Sequence, residues 1–209
     1  MSNRISEIKD WLPFGATFSM SEIIPVSSEA ISQLSTEEKR ELELCKSQKR
    51  QREFVTSRIT LKKMAQKVGD GKDFEILKDK LGQPFGIAGA QKFFVSIAHT
   101  DDFVFCGLSL EHPIGVDIEP VDRTVPSKLG QRITHLKETD SITDIPLIRL
   151  WTIKEAYIKL RGQGLRMNMN EVRIERESDR IFTELNNDKR AKICSFDLKN
   201  NWLAVAYYH

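Results

Sequence analysis

Residues 34–68 contain neither glycine nor proline. Ser35 stands before an acidic first turn, and a serine in that position is typical of a helix start. The pattern predicts a long helical region that ends at Gly69. Apolar and basic residues share the segment from Lys46 to Lys63, which on its own indicates a solvated basic helix face.

Short apolar or alternating runs follow this region and predict strands. They are Phe93–Ile97, Phe103–Leu108, Ile114–Glu119, Val172–Ile174, Ala191–Cys194 and Trp202–Tyr207. The segment Gly82–Gly86 is expected to be a turn. A second helix is expected from Pro146 to Arg161, since proline suits a helix start and Gly162 suits a left-handed cap. Helices and antiparallel strands together predict an α+β fold.

Composition narrows the classes of function. The 209 residues are 40% hydrophobic and carry a net charge of +2, so they can bury a core but have no general attraction to nucleic acid or anionic membrane. No apolar run approaches the roughly 20 residues of a membrane helix, and the first ten residues lack a signal-peptide pattern. We therefore expect a cytoplasmic protein. Three scattered cysteines, Cys45, Cys106 and Cys194, are expected to be reduced and mostly buried thiols.

Two acids lie on one face of a predicted strand. In Ile114–Glu119, apolar residues alternate with small or acidic ones, which predicts a half-buried strand with Asp117 and Glu119 side by side. Adjacent carboxylates repel unless a cation joins them, and Mg²⁺ prefers such oxygen ligands. Taken alone, however, an Asp-x-Glu pattern is more often a polar strand edge.

The second helix carries another candidate group. Trp151, Glu155 and Lys159 are spaced by four residues and share one face. An exposed ion pair is the simplest interpretation of Glu155 and Lys159. The functional alternative makes Glu155 a third acidic ligand or a general base, and Lys159 a phosphate clamp. His99 follows a predicted strand, where substrate-binding side chains are often found, whereas His112, His135 and His209 are expected to be surface residues.

Taken in order, these segments resemble the 4′-phosphopantetheinyl transferases of the short, monomeric, surfactin-synthetase-activating type. Gly115-Val116-Asp117-Ile118-Glu119 is similar to the family's G-[IV]-D-[IV]-E motif, and the segment from Trp151 to Lys159 matches its W-x-x-K-E-[AS]-x-x-K motif. Arg52–Arg58 resembles the family's basic helix, Gly82-Gln83-Pro84 its G-K-P turn, and Val95–Thr100 its strand ending in S-H-S. Glu138 also stands where the family often has an acid.

The resemblance implies two similar α/β subdomains related by a pseudo-twofold axis, residues 1–113 and 114–209, with coenzyme A between them. The second would hold Mg²⁺ through Asp117, Glu119 and Glu155, with Lys159 on the pyrophosphate. Glu155 would also take the proton from a serine of an apo acyl or peptidyl carrier protein. The first would bind the 3′-phosphate of coenzyme A, and the residues implied there are Arg52, Arg58, His99 and Thr100.

The resemblance also leaves several points open. The carrier is expected to dock near Arg161 to Met169, and Lys154 is expected either to contact substrate or carrier or to be solvated. Gln83, Ala98 and Asp101-Asp102 depart from the family pattern, so altered affinity for coenzyme A is expected. The alternative functions are another magnesium-dependent phosphoryl-type transferase and a nucleic-acid-binding module that uses the basic helix.

Overall fold

The computed structural model describes residues 15–68, 73–138, 142–185 and 190–208. These residues divide into two compact units, Gly15–Glu111 and a second unit that begins at His112. Among the described residues, no helix combines the length and apolar character needed to cross a membrane.

The first unit is one antiparallel sheet with three helices. Its five strands are ordered β1-β5-β4-β3-β2. The elements are β1 (Ala16–Glu22), α1 (Ser28–Ser32), α2 (Thr36–Glu43), α3 (Gln48–Val68), β2 (Glu75–Lys78), β3 (Pro84–Ala88), β4 (Gln91–His99) and β5 (Phe103–Ser109).

The second unit has the same plan. Its strands are ordered β6-β10-β9-β8-β7. The elements are β6 (Ile114–Pro120), α4 (Ser127–Ile133), α5 (Leu147–Leu160), two 3₁₀ turns (Gly164–Arg166 and Met169–Glu171), β7 (Ile174–Arg176), β8 (Ile181–Glu184), β9 (Ala191–Leu198) and β10 (Asn201–Tyr208).

The two units therefore share one topology. In each, the first strand pairs with the last, and the other strands follow back in sequence order. The long helix, α3 or α5, comes between the first and second strands and packs on the first and last ones. The predicted α+β class with two similar subdomains is confirmed.

The helical region that begins after Ser35 is two helices, not one. Ser35 caps α2 as predicted: its hydroxyl accepts a hydrogen bond from Glu38 N, and the Glu38 carboxylate accepts one from Ser35 N. The chain then leaves the helix at Leu44, and the hydroxyl of Ser47 accepts a hydrogen bond from Arg50 N in the first turn of α3. A second capping serine starts a new helix without any glycine or proline. Gly69 lies outside the described residues.

The predicted ends of α5 are confirmed. Pro146 immediately precedes the helix, and Gly162 has φ +64° just after it. A glycine adopts this left-handed conformation without the steric cost that a side chain would bring. The helix therefore begins and ends where its local sequence dictates, which fixes the positions of Trp151, Glu155 and Lys159.

The prediction that β6 is half-buried is wrong. Residues from Ile114 to Ile118 are all buried, because α5 covers the face that carries Gly115 and Asp117. A Cβ on Gly115 would lie 1.9 Å from the carbonyl oxygen of Ala156 and 2.5 Å from the nitrogen of Leu160. The missing side chain thus lets the helix backbone rest directly on the strand.

We expect Gly115→Ala to lower the free energy of unfolding by about 1–3 kcal/mol, because α5 must move away from β6. Urea denaturation measures this. The control is Gly130→Ala in α4, where the nearest heavy atom to a new Cβ is 3.8 Å away. That change should stabilise the helix by about 0.5–1 kcal/mol. A Gly115→Ala protein as stable as wild type would contradict the close packing of α5.

The cysteines match the prediction of reduced thiols. All three are free, Cys106 and Cys194 are buried, and Cys45 is partly exposed. Burial raises the pKa of Cys106 and of Cys194 to about 12. These two thiols are therefore protonated and unreactive at neutral pH.

Candidate active site

Strand β6 and helix α5 bring the predicted acids and Lys159 together. Asp117 is 6% exposed, and its Oδ1 accepts a hydrogen bond from Lys159 Nζ at 2.7 Å. Its Oδ2 is buried and has no hydrogen-bond partner among the described residues. Lys159 thus forms an ion pair with Asp117 on the strand, whereas its spacing along the helix predicted a pair with Glu155.

The three carboxyl groups affect one another electrostatically. Burial raises the pKa of Asp117, of Glu119 and of Glu155 above their ordinary values. The negative charge of Asp117 further raises the pKa of Glu119 and of Glu155, while Lys159 opposes the rise in all three. The site therefore concentrates negative charge in a place where water cannot fully solvate it, and a cation would relieve this cost.

Arg123 is a member of this cluster that the sequence did not suggest. Its guanidinium forms a close ion pair with Glu119 and lies over the ring of Trp151, 5.6 Å from the ring centroid. One arginine thereby connects the end of β6 to α5. Trp151 thus helps to orient Arg123, the partner of Glu119.

An open groove of about 1140 Å³ runs beside Glu155 and Lys159. Trp151, Glu155, Ile158 and Lys159 of α5 line it, and so do residues 131–137 and Met167–Glu171. Leu136 projects fully into solvent at 102% exposure, next to His135, and both residues line the groove. A large substrate could reach Glu155 along this groove. His135 was expected to be a surface residue without a site, and His209 lies outside the described residues.

The carboxylate oxygens of Asp117, Glu119 and Glu155 suit a hard cation, although the three side chains do not surround a common metal position. Among the residues that the structure describes, no group of three or more His, Cys, Asp and Glu side chains surrounds a metal position. An oxygen-seeking cation such as Mg²⁺ would nevertheless give Asp117 Oδ2 a partner. It would also stabilise the ionised form of all three carboxyls, whose pKa is raised.

Lys154, which precedes Glu155, is neither solvated nor placed in the groove. Its side chain is 0% exposed, and its Nζ lies 2.6 Å from Glu138 Oε1, which belongs to a side chain that is 1% exposed. The same ammonium donates to the carbonyl oxygen of Ile133 at 2.6 Å. Burial lowers the pKa of Lys154, and Glu138 partly offsets this effect. Lys154 thus forms a buried ion pair with the acid that stands between the two motifs.

A smaller cavity, of about 210 Å³, lies in the first unit. Arg50 and Glu53 of α3 line it together with His99, at the end of β4. Arg50 Nη1 is 2.8 Å from His99 Nε2 and 3.1 Å from Glu53 Oε2. Arginine only donates, so Nε2 accepts in its contact with Arg50, and His99 Nδ1 lies 3.4 Å from Glu53 Oε1. Arg50 and His99 form a compact group suited to an anion.

Of the other residues predicted for this region, Arg58 also lines the cavity, whereas Thr100 and Arg52 lie elsewhere in the first unit. The Arg58 side chain is 4% exposed and pairs with Glu41 at 3.2 Å. The Thr100 hydroxyl accepts hydrogen bonds from the amides of Asp102 and Phe103 and so closes the turn after β4. Arg52 is exposed on α3 and is not among the residues that line the cavity.

Acidic partners neutralise much of the basic face of α3. Lys62 pairs with Glu38 at 2.7 Å, and Lys49 forms a close ion pair with Asp101. Asp101, one of the departures from the family pattern, therefore connects the turn after β4 to α3. These pairs, with those of Arg50 and Arg58, reduce the positive charge that a nucleic acid would need.

Comparison with known proteins finds a family match for the second unit. The family model described as the 4′-phosphopantetheinyl transferase superfamily matches residues 113–207, which include all three site acids, α5 and the groove. The resemblance inferred from the motifs is confirmed.

Individual members of the superfamily align with part of the chain. The 4′-phosphopantetheinyl transferase gsp of Aneurinibacillus migulanus is 29% identical over 119 residues, which are 54% of this chain and 48% of the relative. The 4′-phosphopantetheinyl transferase Sfp of Bacillus subtilis is 26% identical over 117 residues, 53% of this chain and 51% of the relative. The chain thus spans about half the length of these phosphopantetheinyl transferases.

Proposed function

We propose that this protein moves the 4′-phosphopantetheine arm of coenzyme A onto a serine of an apo acyl or peptidyl carrier protein. Adenosine 3′,5′-bisphosphate is the second product. The observation that carries the proposal is the cluster of Asp117, Glu119, Glu155 and Lys159 beside an open groove, within the segment that matches the superfamily. We further propose a cytoplasmic monomer that serves fatty-acid, polyketide or nonribosomal-peptide synthesis.

Asp117, Glu119 and Glu155 are the residues that would hold Mg²⁺. When bound, Mg²⁺ supplies positive charge against the pyrophosphate of coenzyme A. Lys159 supplies a further positive charge to the same group. An ammonium has three donors, so Lys159 can bind a phosphate oxygen while it keeps its hydrogen bond to Asp117 Oδ1.

Glu155 is the proposed general base. It lies at the groove, and its raised pKa makes its carboxylate a stronger proton acceptor than an ordinary glutamate. It would accept the proton of the carrier serine as the serine oxygen attacks the β-phosphate of coenzyme A in line with the leaving phosphate. The bond from the β-phosphorus to the oxygen that bridges to the α-phosphate then breaks, and the nucleotide leaves.

The carrier would dock along the groove of the second unit. Its walls combine apolar side chains such as Trp151 and Met167 with the basic residues Arg132 and Lys137. Leu136 offers an exposed apolar contact beside them. An acidic carrier surface with an apolar patch around its serine would complement this lining.

A magnesium titration tests the proposed metal site. Because the folded protein raises the pKa of Glu155, its ionised carboxylate destabilises the fold at neutral pH, and a bound cation should reverse this effect. At a concentration of 100 times the dissociation constant, Mg²⁺ should stabilise the protein by about 2.7 kcal/mol.

The measurement is the melting temperature with and without Mg²⁺, for wild type, Glu155→Gln and the control Glu175→Gln, which changes an exposed acid of β7. The increase should be present in wild type and in the control and strongly reduced in Glu155→Gln. Equal increases in all three proteins would count against Glu155 as a ligand.

Coenzyme A lacking its 3′-phosphate tests the first-unit cavity. We assign the 3′-phosphate to Arg50 and His99, because they are adjacent cationic or hydrogen-bonding groups in one cavity. Arg50→Ala should raise the KM for coenzyme A roughly 10–100-fold, the equivalent of about 1.5–3 kcal/mol for hydrogen bonds to a charged group.

The same change should leave the KM for dephospho-coenzyme A unaltered. Arg40→Ala serves as the control, since Arg40 is an exposed arginine of α2 that pairs with Glu37. If Arg50→Ala raises both values equally, Arg50 contacts another part of the nucleotide or only supports the fold.

A further inference from the structure

Helix α5 has two adjacent residues with separate roles. Glu155 lies at the groove, whereas Lys154 is directed into the interior. The interior residue is not an isolated buried charge, because its two partners, Ile133 and Glu138, are the ends of a single short segment of chain. Residues 133–137 of this segment line the groove beside Glu155. We call residues 133–138 the groove wall.

The hydrogen bonds of Glu138 hold the groove wall in one conformation. Its Oε2 accepts from the amide of His135 at 2.8 Å, and its Oε1 contacts both Lys154 Nζ at 2.6 Å and the amide of Ile174 at 3.4 Å. The amide of Glu138 donates in return to the carbonyl oxygen of His135 at 3.1 Å. One buried carboxylate thus connects the wall to α5 and to β7, and it also joins two residues of the wall, His135 and Glu138.

Because Lys154 and Glu138 are both buried, this arrangement is costly to loosen. An ion pair with exposures of 0% and 1% leaves a charge without a partner if either side chain withdraws. Leu136 and Lys137, in contrast, project from the wall into solvent. The inner side of the wall is therefore held rigidly, and its outer side is exposed and faces an incoming substrate.

We propose that Lys154 and Glu138 are positioning residues for the carrier substrate. They fix the groove wall at a set distance from Glu155. The serine-bearing segment of the carrier is thereby placed next to Glu155, the proposed general base. This inference rests on the proposed transfer reaction. It assigns neither residue any contact with coenzyme A or with the serine itself.

The test separates positioning from simple stabilisation with the double variant Glu138→Leu/Lys154→Met. Replacing a buried ion pair by apolar residues of similar volume is often neutral for stability, so the melting temperature should stay near that of wild type. The groove wall nevertheless loses its attachments. The kcat/KM for the carrier should fall roughly 100-fold, since a displacement of about 1 Å can have that effect. The KM for coenzyme A should not change.

Amide hydrogen exchange gives a readout that does not depend on turnover. In the double variant, the amides of residues 133–138, His135 above all, should exchange faster, while those of β9 and β10 keep their protection. The control is Glu177→Leu/Lys192→Met, which removes an ion pair of 2.6 Å that lies outside the groove. It should alter neither the exchange of the wall nor the carrier kinetics.

Wild-type exchange at residues 133–138 and wild-type carrier kinetics in a stable double variant would overturn the proposal. If that variant fails to fold, Glu138→Asp replaces it, because the shorter side chain keeps the charge beside Lys154 but draws the wall inward. Lower carrier kcat/KM with unchanged KM for coenzyme A is again the expected result, and unchanged values for both would reject the inference. If wild type itself transfers no phosphopantetheine, the transfer reaction is refuted and the exchange experiment still decides the attachment of the wall.

Discussion

Glu155→Gln should reduce phosphopantetheine transfer by about 10²–10⁴-fold without lowering the melting temperature. Glutamine has nearly the same shape but cannot accept the serine proton or bind a cation as an anion does. The fold should tolerate the change, because burial and the charge of Asp117 already raise the pKa of Glu155 and disfavour its ionised form. The measurement is the steady-state rate of carrier modification, combined with thermal unfolding in the absence of Mg²⁺.

Glu175→Gln is the matched control, since it makes the same chemical change at an exposed position of β7. Its transfer rate should equal that of wild type. Substantial turnover by Glu155→Gln, with an unchanged dependence on magnesium, would show that another group accepts the serine proton.

Lys154→Met should destabilise the protein by about 3–5 kcal/mol, the largest loss of stability that we expect from a single substitution. The change leaves the Glu138 carboxylate charged and buried at 1% exposure, and the carbonyl oxygen of Ile133 loses its donor. At roughly 2–4 °C per kcal/mol for a chain of this size, the melting temperature should fall by about 6–20 °C. Urea or thermal denaturation measures the effect.

Lys159→Met provides the comparison, because Lys159 also pairs with an acid but is 29% exposed. Lys159→Met should lower the free energy of unfolding clearly less than Lys154→Met does. Its main effect should be a lower rate of phosphopantetheine transfer. If Lys154→Met is no more destabilising than Lys159→Met, the pair between Lys154 and Glu138 does not have the buried character that the structure shows.

Elements with strong local signals could be predicted from the sequence. Ser35, Pro146 and Gly162 each act through their own backbone conformation or hydrogen bonds, so the start of α2 and both ends of α5 follow from the neighbouring residues. Ser47 acts in the same way, but the absence of glycine and proline around it concealed the break between α2 and α3.

Strands that depend on distant partners were not predicted. Strands β2, β3 and β8 have weak alternation and gain their positions from pairing within the sheets. Strand β1 was missed although its apolar residues Ala16, Phe18 and Met20 alternate with polar ones. The predicted turn includes Gly86, which the structure places inside β3. A Cβ there would be 2.5 Å from the ring of Phe74, so glycine is required for close packing and not for a turn. Val172, expected in a strand, lies two residues before β7 and ends the 3₁₀ turn Met169–Glu171.

The candidate site shows the same division. The spacing of Asp117 and Glu119 along a strand, and of Glu155 and Lys159 along a helix, follows from the period of each element. The roles of Arg50 and Lys154 depend on partners far away in the sequence, His99 and Glu138. No periodicity within α3 or α5 could have identified those partners.

The most direct test of the proposed function is the mass of a carrier protein after incubation with this protein, Mg²⁺ and coenzyme A. A panel of apo acyl and peptidyl carriers should include at least one that gains the mass of the phosphopantetheine group, and EDTA should abolish the gain. If a phosphopantetheinyl transferase of established activity modifies every carrier in the panel and this protein modifies none, the proposed reaction is contradicted.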